Sequence, residues 1–536
     1  MNSADTSNLS QAYWPADQSD PVLEHSVGNA LREAAKLWGD RTALVEGRPG
    51  LPDARRWSFA ALLRDSETVA HALLARFAPG ERVAVWAENC PEWVLIEFGA
   101  ALAGLTLVTV NPALLEQEVR HVLSQSGASG VFVQQEHRGR DLMAVLEGIR
   151  PGLPRLRDVV PLSSWAAFMA ERPRAGSLPH VSAGDIAQIQ YTSGTTGLPK
   201  GVRLAHRSIA NNARFYARCI GARPDDVWVT PMPLFHTAGC GLATLGALQT
   251  GGANVLQCGG FDPAGVLDLL EAERGTVVLC VPTMLIRMLD QAGRAARDVS
   301  AWRLLTLGGA PVPPELVRRA QKAFGAKVAI GFGQTEASPY ITHTLPDDPH
   351  PDSFATVGRP LPQLDVKVMD PDTGETLPVN SIGELCVRGY SVMAGYFENP
   401  EATAETLDAE GWLHTGDLGS MDHQGYCRIQ GRLRDMIIRG GENVYPREVE
   451  DVLFTHPDVS NAAVVGVPDS EWGESVAAFI QMKGGQTLSE TELAAFCRER
   501  LASFKVPRIW RQVEGFPQTA SGKVQKFMLR QELRPG

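Results

Sequence analysis

The stretch Tyr191-Thr-Ser-Gly-Thr-Thr-Gly-Leu-Pro-Lys-Gly201 combines residue types suited to gripping a polyanion. Glycines let a backbone curl until successive N–H groups face one anion. Ser193, Thr195 and Thr196 add hydroxyl donors, and Lys200 adds charge. These are the ingredients of a triphosphate-binding loop. It is not a Walker A loop, in which the lysine follows a glycine and precedes Ser or Thr; here Lys200 stands between Pro199 and Gly201. A plain Ser/Thr/Gly linker would explain the flexibility but not the embedded Pro-Lys-Gly.

Such a loop needs a rigid element before it, and the apolar run 186–189 predicts a strand there. Upstream, the pattern alternates. Arg82-Val-Ala-Val-Trp-Ala reads as a buried strand and 91–103 as a helix with Pro91 in its first turn. Segments 105–110 and 131–134 read as strands, with Val119, Val122 and Leu123 on a helical stripe between them. The alternation returns at 277–281 and 304–307. Strand–helix–strand repetition predicts helix-covered parallel sheets.

After about Asp352 the texture changes to short β-like pieces (365–369, 383–388, 426–430) between Asp-, Gly- and Pro-rich turns, which suggests an antiparallel or barrel-like subdomain. The last hundred or so residues read as a small α+β unit. A helix begins at Pro446, strands are expected at 462–467 and 476–482, and Ser489 with Glu492 forms a capping box.

The chain has 536 residues, too many for one core, and its 44% hydrophobic and 21% charged content is ordinary for a globular protein. A net charge of -11 without a long basic run argues against nucleic acid as a partner. The eight cysteines include no C-x-x-C pair, so reduced thiols of a cytoplasmic protein are expected rather than a zinc ribbon. The first residues lack the basic and apolar regions of a signal peptide, and the best apolar run, 99–110, is too short for an integral membrane segment.

Taken in order, the glycine-rich loop, Pro233-Leu-Phe-His236, Gly308-Gly-Ala-Pro311, Gly331-Phe-Gly-Gln-Thr-Glu336, Gly411-Trp-Leu-His-Thr-Gly-Asp417, Gly431-Arg432, Gly440-Gly-Glu-Asn-Val-Tyr-Pro446 and Ser521-Gly-Lys523 resemble the adenylate-forming superfamily of acyl-CoA synthetases, luciferases and adenylation domains. One such motif is weak; the ordered set spans nearly the whole chain.

The resemblance implies an α/β protein with a large N-terminal AMP-binding domain (1–433) and a small mobile α+β lid (434–536). It assigns ATP contacts to Thr192, Ser193, Gly194, Thr195, Thr196, Gly197, Lys200, Gly309, Ala310, Pro311, Gly331, Phe332, Gly333, Thr335, Glu336, Asp417 and Arg432. Thr195 and Glu336 would lie near Mg2+, a hard cation that prefers oxygen. Phe332 would stack on adenine; relatives often have tyrosine there, so one hydroxyl is lost. Asp417 would accept from the ribose hydroxyls, and the planar fork of Arg432 would reach ribose or phosphate.

Lys523 would bridge the carboxylate and the α-phosphate as charge develops. His236 and Gly308 would line the acyl pocket or its gate; a base role for His236 is the weaker reading. Arg434, where relatives carry Asp or Lys, would be the hinge, and Gly440 and Gly441 would line the coenzyme A tunnel. His343 and His350 read as loop residues.

The expected reaction joins a carboxylic acid to coenzyme A through an acyl-adenylate, using ATP, with a medium- or long-chain fatty acid as leading substrate. A homodimer is compatible with this. The alternatives are loading of a carrier-protein thiol, an aryl or alicyclic acid substrate, a luciferase-type oxygenase, and a non-catalytic nucleotide sensor.

Overall fold

The structure, a computed structural model, describes residues 8–48, 54–171, 176–192, 199–293, 295–483, 489–518 and 524–533. Ser193, Gly194, Thr195, Thr196, Gly197 and Lys523 therefore lie outside the described residues.

Two sheets dominate the N-terminal part. The first has six strands in the order Lys200–Ala205, Ile186–Thr192, Thr106–Val110, Arg82–Trp86, Gly130–Val133 and Asp158–Pro161. All neighbours are parallel except the first pair, an antiparallel hairpin that brackets the glycine-rich loop. The second has nine strands, with a parallel centre running from Lys327–Gly333 through Leu304–Leu307, Val277–Cys280, Val227–Thr230 and Ala253–Gln257 to Thr42–Gly47. Antiparallel strands finish both edges: Tyr340–His343 and Arg359–Pro360 on one side, Arg56–Ser58 on the other.

Parallel strands covered on both faces must be apolar throughout, and Thr106–Val110, Val277–Cys280 and Leu304–Leu307 are buried along their whole length. The helix Pro91–Ala103 is hydrophobic almost all round because it too is buried on every side. It starts with Pro91 at its first turn and stops at Gly104, whose φ of +67° caps it in the left-handed region.

A five-stranded antiparallel sheet follows, built from Leu364–Met369, Gly383–Gly389, Leu413–Met421 and Cys427–Arg432. Its remaining edge strand is Tyr13–Trp14, contributed from the far N-terminus, which the sequence pattern did not announce. After the 3-10 turn Leu433–Asp435 the chain forms a separate sheet of Glu442–Val444, Ile437–Arg439, Gly473–Met482 and Val459–Asp469, with Ile509–Gln512 added in parallel. This sheet carries its own apolar core around Ile437, Val449, Leu453, Val464 and Trp510. The capping box of Ser489 and Glu492 forms as expected. Among the described residues no helix is long and apolar enough to cross a membrane.

One expectation needs correction. His343 is not a loop residue: it ends the buried strand Tyr340–His343, with its ring 5.4 Å from that of Tyr216. Burial pushes its imidazole down to about 4, so it sits in the core as a neutral ring. His350 does lie in a connecting segment, where Nε2 meets Asp422 at 3.2 Å.

Candidate active site

The strand Ile186–Thr192 and its partner Lys200–Ala205 hold the two ends of the glycine-rich loop together, with Thr192 opposite Lys200. A third segment lies along Lys200–Ala205 on its other side. Arg203 N donates to Gly395 O at 3.1 Å, Ala394 N to Arg203 O at 2.9 Å, and Phe397 N to Gly201 O at 2.7 Å. This backbone pairing fixes Tyr396, opposite Val202, next to the loop. The ammonium of Lys200 sits 5.1 Å from the centre of the Tyr396 ring, a cation–π distance.

The Tyr396 hydroxyl donates to Glu336 Oε1 at 2.8 Å. Burial, then the charge of Glu336, pushes its phenol well above the usual range, so it stays a donor. Glu336 lies in the 3-10 turn Thr335–Ala337, directly after the strand Lys327–Gly333. Its carbonyl accepts from Met393 N at 2.9 Å, and Ser338 Oγ donates to Ser391 O at 2.6 Å. The segment 391–397 thus laces the Glu336 turn to the glycine-rich hairpin.

The antiparallel sheet supplies the next members. Asp417 pairs with Arg432 across two strands, and Arg432 Nε donates to Asp417 Oδ1 at 3.1 Å. Asp417 is only 6% exposed, and its N–H donates to Thr415 Oγ1. The Asp417 carboxylate, with help from Asp435 and Glu336, strengthens the charged form of the Arg432 guanidinium against its desolvation. Lys200, Tyr396, Glu336, Arg432 and Asp417 therefore form one electrostatically connected group, drawn from five separated stretches of chain.

Gly308 and Gly331 meet where the parallel neighbours Leu304–Leu307 and Lys327–Gly333 end. A Cβ on Gly308 would lie 2.8 Å from Gly331 O, and one on Gly331 would lie 2.7 Å from Cζ of Tyr340, so neither position admits a side chain. Gly309 adopts φ +76° as the chain leaves the strand Leu304–Leu307, and Ala310 and Pro311 follow it at the surface of the sheet. Phe332 is paired with Thr342 and half-buried against the core, while Gly333 is packed on Pro339.

His236 lies just ahead of the π-helix Ala238–Leu245. Its carbonyl accepts from Gly239 N at 2.9 Å, opening the π-helix Ala238–Leu245, and its ring packs 4.7 Å from that of Phe235. Arg434 is exposed in the 3-10 turn Leu433–Asp435. Gly440 (φ +62°) and Gly441 (φ +86°) make the two-residue turn between Ile437–Arg439 and Glu442–Val444, where two left-handed residues are what a tight hairpin requires. Gly440 packs on Trp472, whose carbonyl accepts from its N–H at 2.7 Å; this contact lies within the C-terminal sheet.

Residue-by-residue reading missed two features. Tyr396 carries no motif of its own; only its pairing with Val202 brings it to Glu336. A buried polar chain was also missed. Gln188 donates to Glu97 Oε1 at 2.7 Å, Gln190 to Gln188 Oε1 at 2.7 Å, and Cys240 Sγ lies 3.2 Å from Gln190 Nε2. Burial raises the Glu97 carboxyl far above its ordinary value, so it is a neutral acid. The two glutamines in 186–190 are visible in the sequence, and a strand with polar residues facing a core is the signal that could have marked them.

The family model described as AMP-binding enzyme matches residues 31–397, and that described as AMP-binding enzyme C-terminal domain matches 448–523. The putative acyl-CoA synthetase YngI of Bacillus subtilis (strain 168) is 37% identical over 95% of this chain and 97% of its own length. The mitochondrial medium-chain acyl-CoA ligase ACSF2 of Rattus norvegicus is 35% identical over 97% and 90%. Among solved structures, the anthranilate CoA ligase AuaEII with anthranoyl-AMP superposes with a TM-score of 0.87 at 29% identity, covering 96% of this chain and 98% of that one. ATP-bound MatB from Rhodopseudomonas palustris gives 0.84 at 30%, covering 94% and 98%. With the folds superposable and the similarity running through both parts of the chain, the protein belongs to the AMP-binding enzyme family, the adenylate-forming acyl-CoA synthetases and ligases.

Proposed function

We propose that this AMP-forming acid–CoA ligase acts on a medium-chain fatty acid, and that the group around Glu336 and Asp417 is where its nucleotide binds. The observation that carries the reading is the convergence of Lys200, Tyr396, Glu336, Arg432 and Asp417 beside the two ends of the glycine-rich loop. Asp417 and Arg432 are suited to ribose and phosphate, the exposed Gly309 to close approach of an adenine, and Phe332 to its ring face.

In the first step the substrate carboxylate oxygen bonds to the α-phosphorus of ATP, and pyrophosphate leaves with the electron pair of the broken P–O bond. In the second, the thiolate of coenzyme A attacks the acyl carbonyl carbon and AMP departs. Positioning and charge stabilisation do most of the work in such chemistry. The Glu336 carboxylate fits a hard cation: Tyr396 donates to Oε1, and among the described residues no donor is seen on Oε2, which would ligate. With Thr195 it would hold Mg2+, which neutralises triphosphate charge. Lys523 would supply the ammonium at the α-phosphate, and the lid, 434–536, would turn about Arg434 to bring Gly440 and Gly441 to the pantetheine arm.

The fatty-acid assignment is supported by end-to-end similarity to a medium-chain acyl-CoA ligase. An aryl acid is the second reading, because a structure that superposes well here is an anthranilate CoA ligase. The eight cysteines are all free thiols, which supports a reducing compartment, the cytoplasm in this reading.

The test is a panel of carboxylic acids assayed for CoA-dependent AMP release and for ATP–pyrophosphate exchange. Medium-chain acids should give the highest kcat/KM. Best turnover with an aromatic acid would select the second reading. Exchange without CoA-dependent release would point to a carrier-protein acceptor, and no exchange with any acid would remove the catalytic reading.

A further inference from the structure

Three residues before Asp417, the strand Leu413–Met421 carries His414, which no part of the proposed chemistry uses. Its Nδ1 lies 2.9 Å from Oε2 of Glu384, a buried residue on the neighbouring strand Gly383–Gly389. The other oxygen of that carboxylate, Oε1, accepts from Gly416 N at 2.8 Å. One carboxylate thus spans the imidazole and the amide immediately before Asp417. The far ring nitrogen of His414, Nε2, lies 3.6 Å from Asp408 Oδ2. Asp408 is itself held by its backbone, with Trp412 N donating to Oδ1 at 2.7 Å. Thr415 completes the support: its hydroxyl donates to Leu385 O at 2.7 Å and accepts from Asp417 N at 3.0 Å.

A neutral imidazole can donate from only one nitrogen, whereas here both nitrogens face carboxylates. The hydrogen bond to Glu384, opposed by partial burial and then joined by the charges of Glu384 and Asp408, raises the His414 pKa above its ordinary 6.5. Nearby, Cys386 Sγ lies 3.8 Å from Nδ1, and burial pushes its thiol up, so it adds no charge. Lys367 pairs with Cys386 from the strand Leu364–Met369 and stacks on Trp412 at 4.4 Å, as does Arg388 at 4.5 Å. The helix Pro400–Thr406, which carries Glu401 and Glu405, packs on the strand Leu413–Met421; the charges acting most strongly on the ring are those of Glu384 and Asp408.

Glu384, Cys386 and His414 are metal-ligand types within 4.8 Å of one another. Both Glu384 oxygens are already engaged by donors, however, and the thiol is held protonated. The arrangement is that of a hydrogen-bond relay and not of a ligand set.

We propose that Asp408, His414 and Glu384 are positioning residues: the imidazolium of His414, clamped between two carboxylates, holds Glu384 on the Gly416 amide and so sets the Asp417 carboxylate for the nucleotide ribose. The proposal rests on reading Asp417 as a nucleotide ligand. Because the folded-state pKa is raised, the clamp is complete below about 6.5 and is lost as pH rises through the higher folded value.

The experiment measures KM for ATP and kcat of the full chain from about pH 6 to about pH 9. In the unaltered enzyme KM for ATP should climb as His414 loses its proton. Asp408→Asn removes one flanking charge but keeps an oxygen for Trp412 N, so the climb should move to lower pH. His414→Gln should give a flat profile with KM raised about tenfold, the scale of one lost charge-assisted hydrogen bond, and a smaller change in kcat.

A climb at the same pH in Asp408→Asn, or no climb in the unaltered enzyme, overturns the relay. Should His414→Gln fail to fold, the Asp408→Asn profile decides alone. An Asp417→Asn variant whose KM for ATP is unchanged sinks the reading of Asp417 as a nucleotide ligand instead, so the two failures are distinguishable.

Discussion

On the proposed reading of Glu336 as a cation ligand, the hydroxyl of Tyr396 would do what second contacts do for many ligating carboxylates: it donates to Oε1 and so would fix which oxygen ligates. Its phenol is kept protonated by burial and by Glu336 itself, so the bond persists over any ordinary assay pH. Tyr396→Phe removes one neutral donor to a charged acceptor while preserving ring packing over Lys200. A net loss of about 1.5–3 kcal/mol, the scale for a bond to a charged group, corresponds to a rise of about 12- to 160-fold in KM for MgATP. Pyrophosphate-exchange kinetics measure this, and an unaltered KM would mean that Glu336 does not need the contact. Tyr396 also shows why single residues are poor guides. Nothing in Gly395-Tyr-Phe marks a site, whereas Asp417 and Glu336 stand in recognisable neighbours.

At the level of elements, the site depends on strand ends that can approach because glycines occupy the crossing. Gly308 follows Leu304–Leu307 and Gly331 lies near the end of Lys327–Gly333; these strands are parallel neighbours. Gly308→Ala would drive a methyl to 2.8 Å from the Gly331 carbonyl and 2.5 Å from the Tyr340 hydroxyl. Asn212 locks Tyr340 by two backbone bonds, Nδ2 to Tyr340 O at 2.7 Å and Tyr340 N to Oδ1 at 3.0 Å, so the ring cannot easily retreat. Overpacking of this kind costs about 1–3 kcal/mol, which urea unfolding of the variant should show as a lower midpoint. An unchanged midpoint would mean that the crossing relaxes freely. The strands themselves were legible: 304–307 and the helix Pro91–Ala103 read directly from apolar run length and a first-turn proline.

For the whole molecule, the turn Leu433–Asp435 is the junction between the large sheets and the C-terminal sheet. The C-terminal helix Lys526–Glu532 reaches back across it, with Arg530 Nη2 on Asp435 Oδ1 at 2.8 Å. If the C-terminal part is a lid that brings Lys523 to the α-phosphate in one orientation only, the two half-reactions should separate. Lys523→Ala should lower adenylation by about 100-fold or more, the scale of one lost transition-state donor, and leave thioester formation from supplied acyl-AMP intact. Assaying each half-reaction separately decides this, and equal loss of both would contradict the assignment.

Local sequence determined a great deal here. Glycine-rich turns, first-turn prolines, the capping box and fully apolar strands depend on neighbours within a few residues, and the ordered motifs announced the family. What only tertiary structure decided are relations between distant segments. Tyr396 reaches Glu336 by pairing with Val202, Tyr13–Trp14 joins a sheet whose other strands begin at Leu364, and His414 lies between Glu384 and Asp408. His343 was misread for the same reason: its Pro- and Asp-rich sequel suggests a loop, but its burial comes from Tyr216 and Tyr340. Side-chain identity sets which chemistry is available, and strand pairing across hundreds of residues sets which groups come within 3 Å.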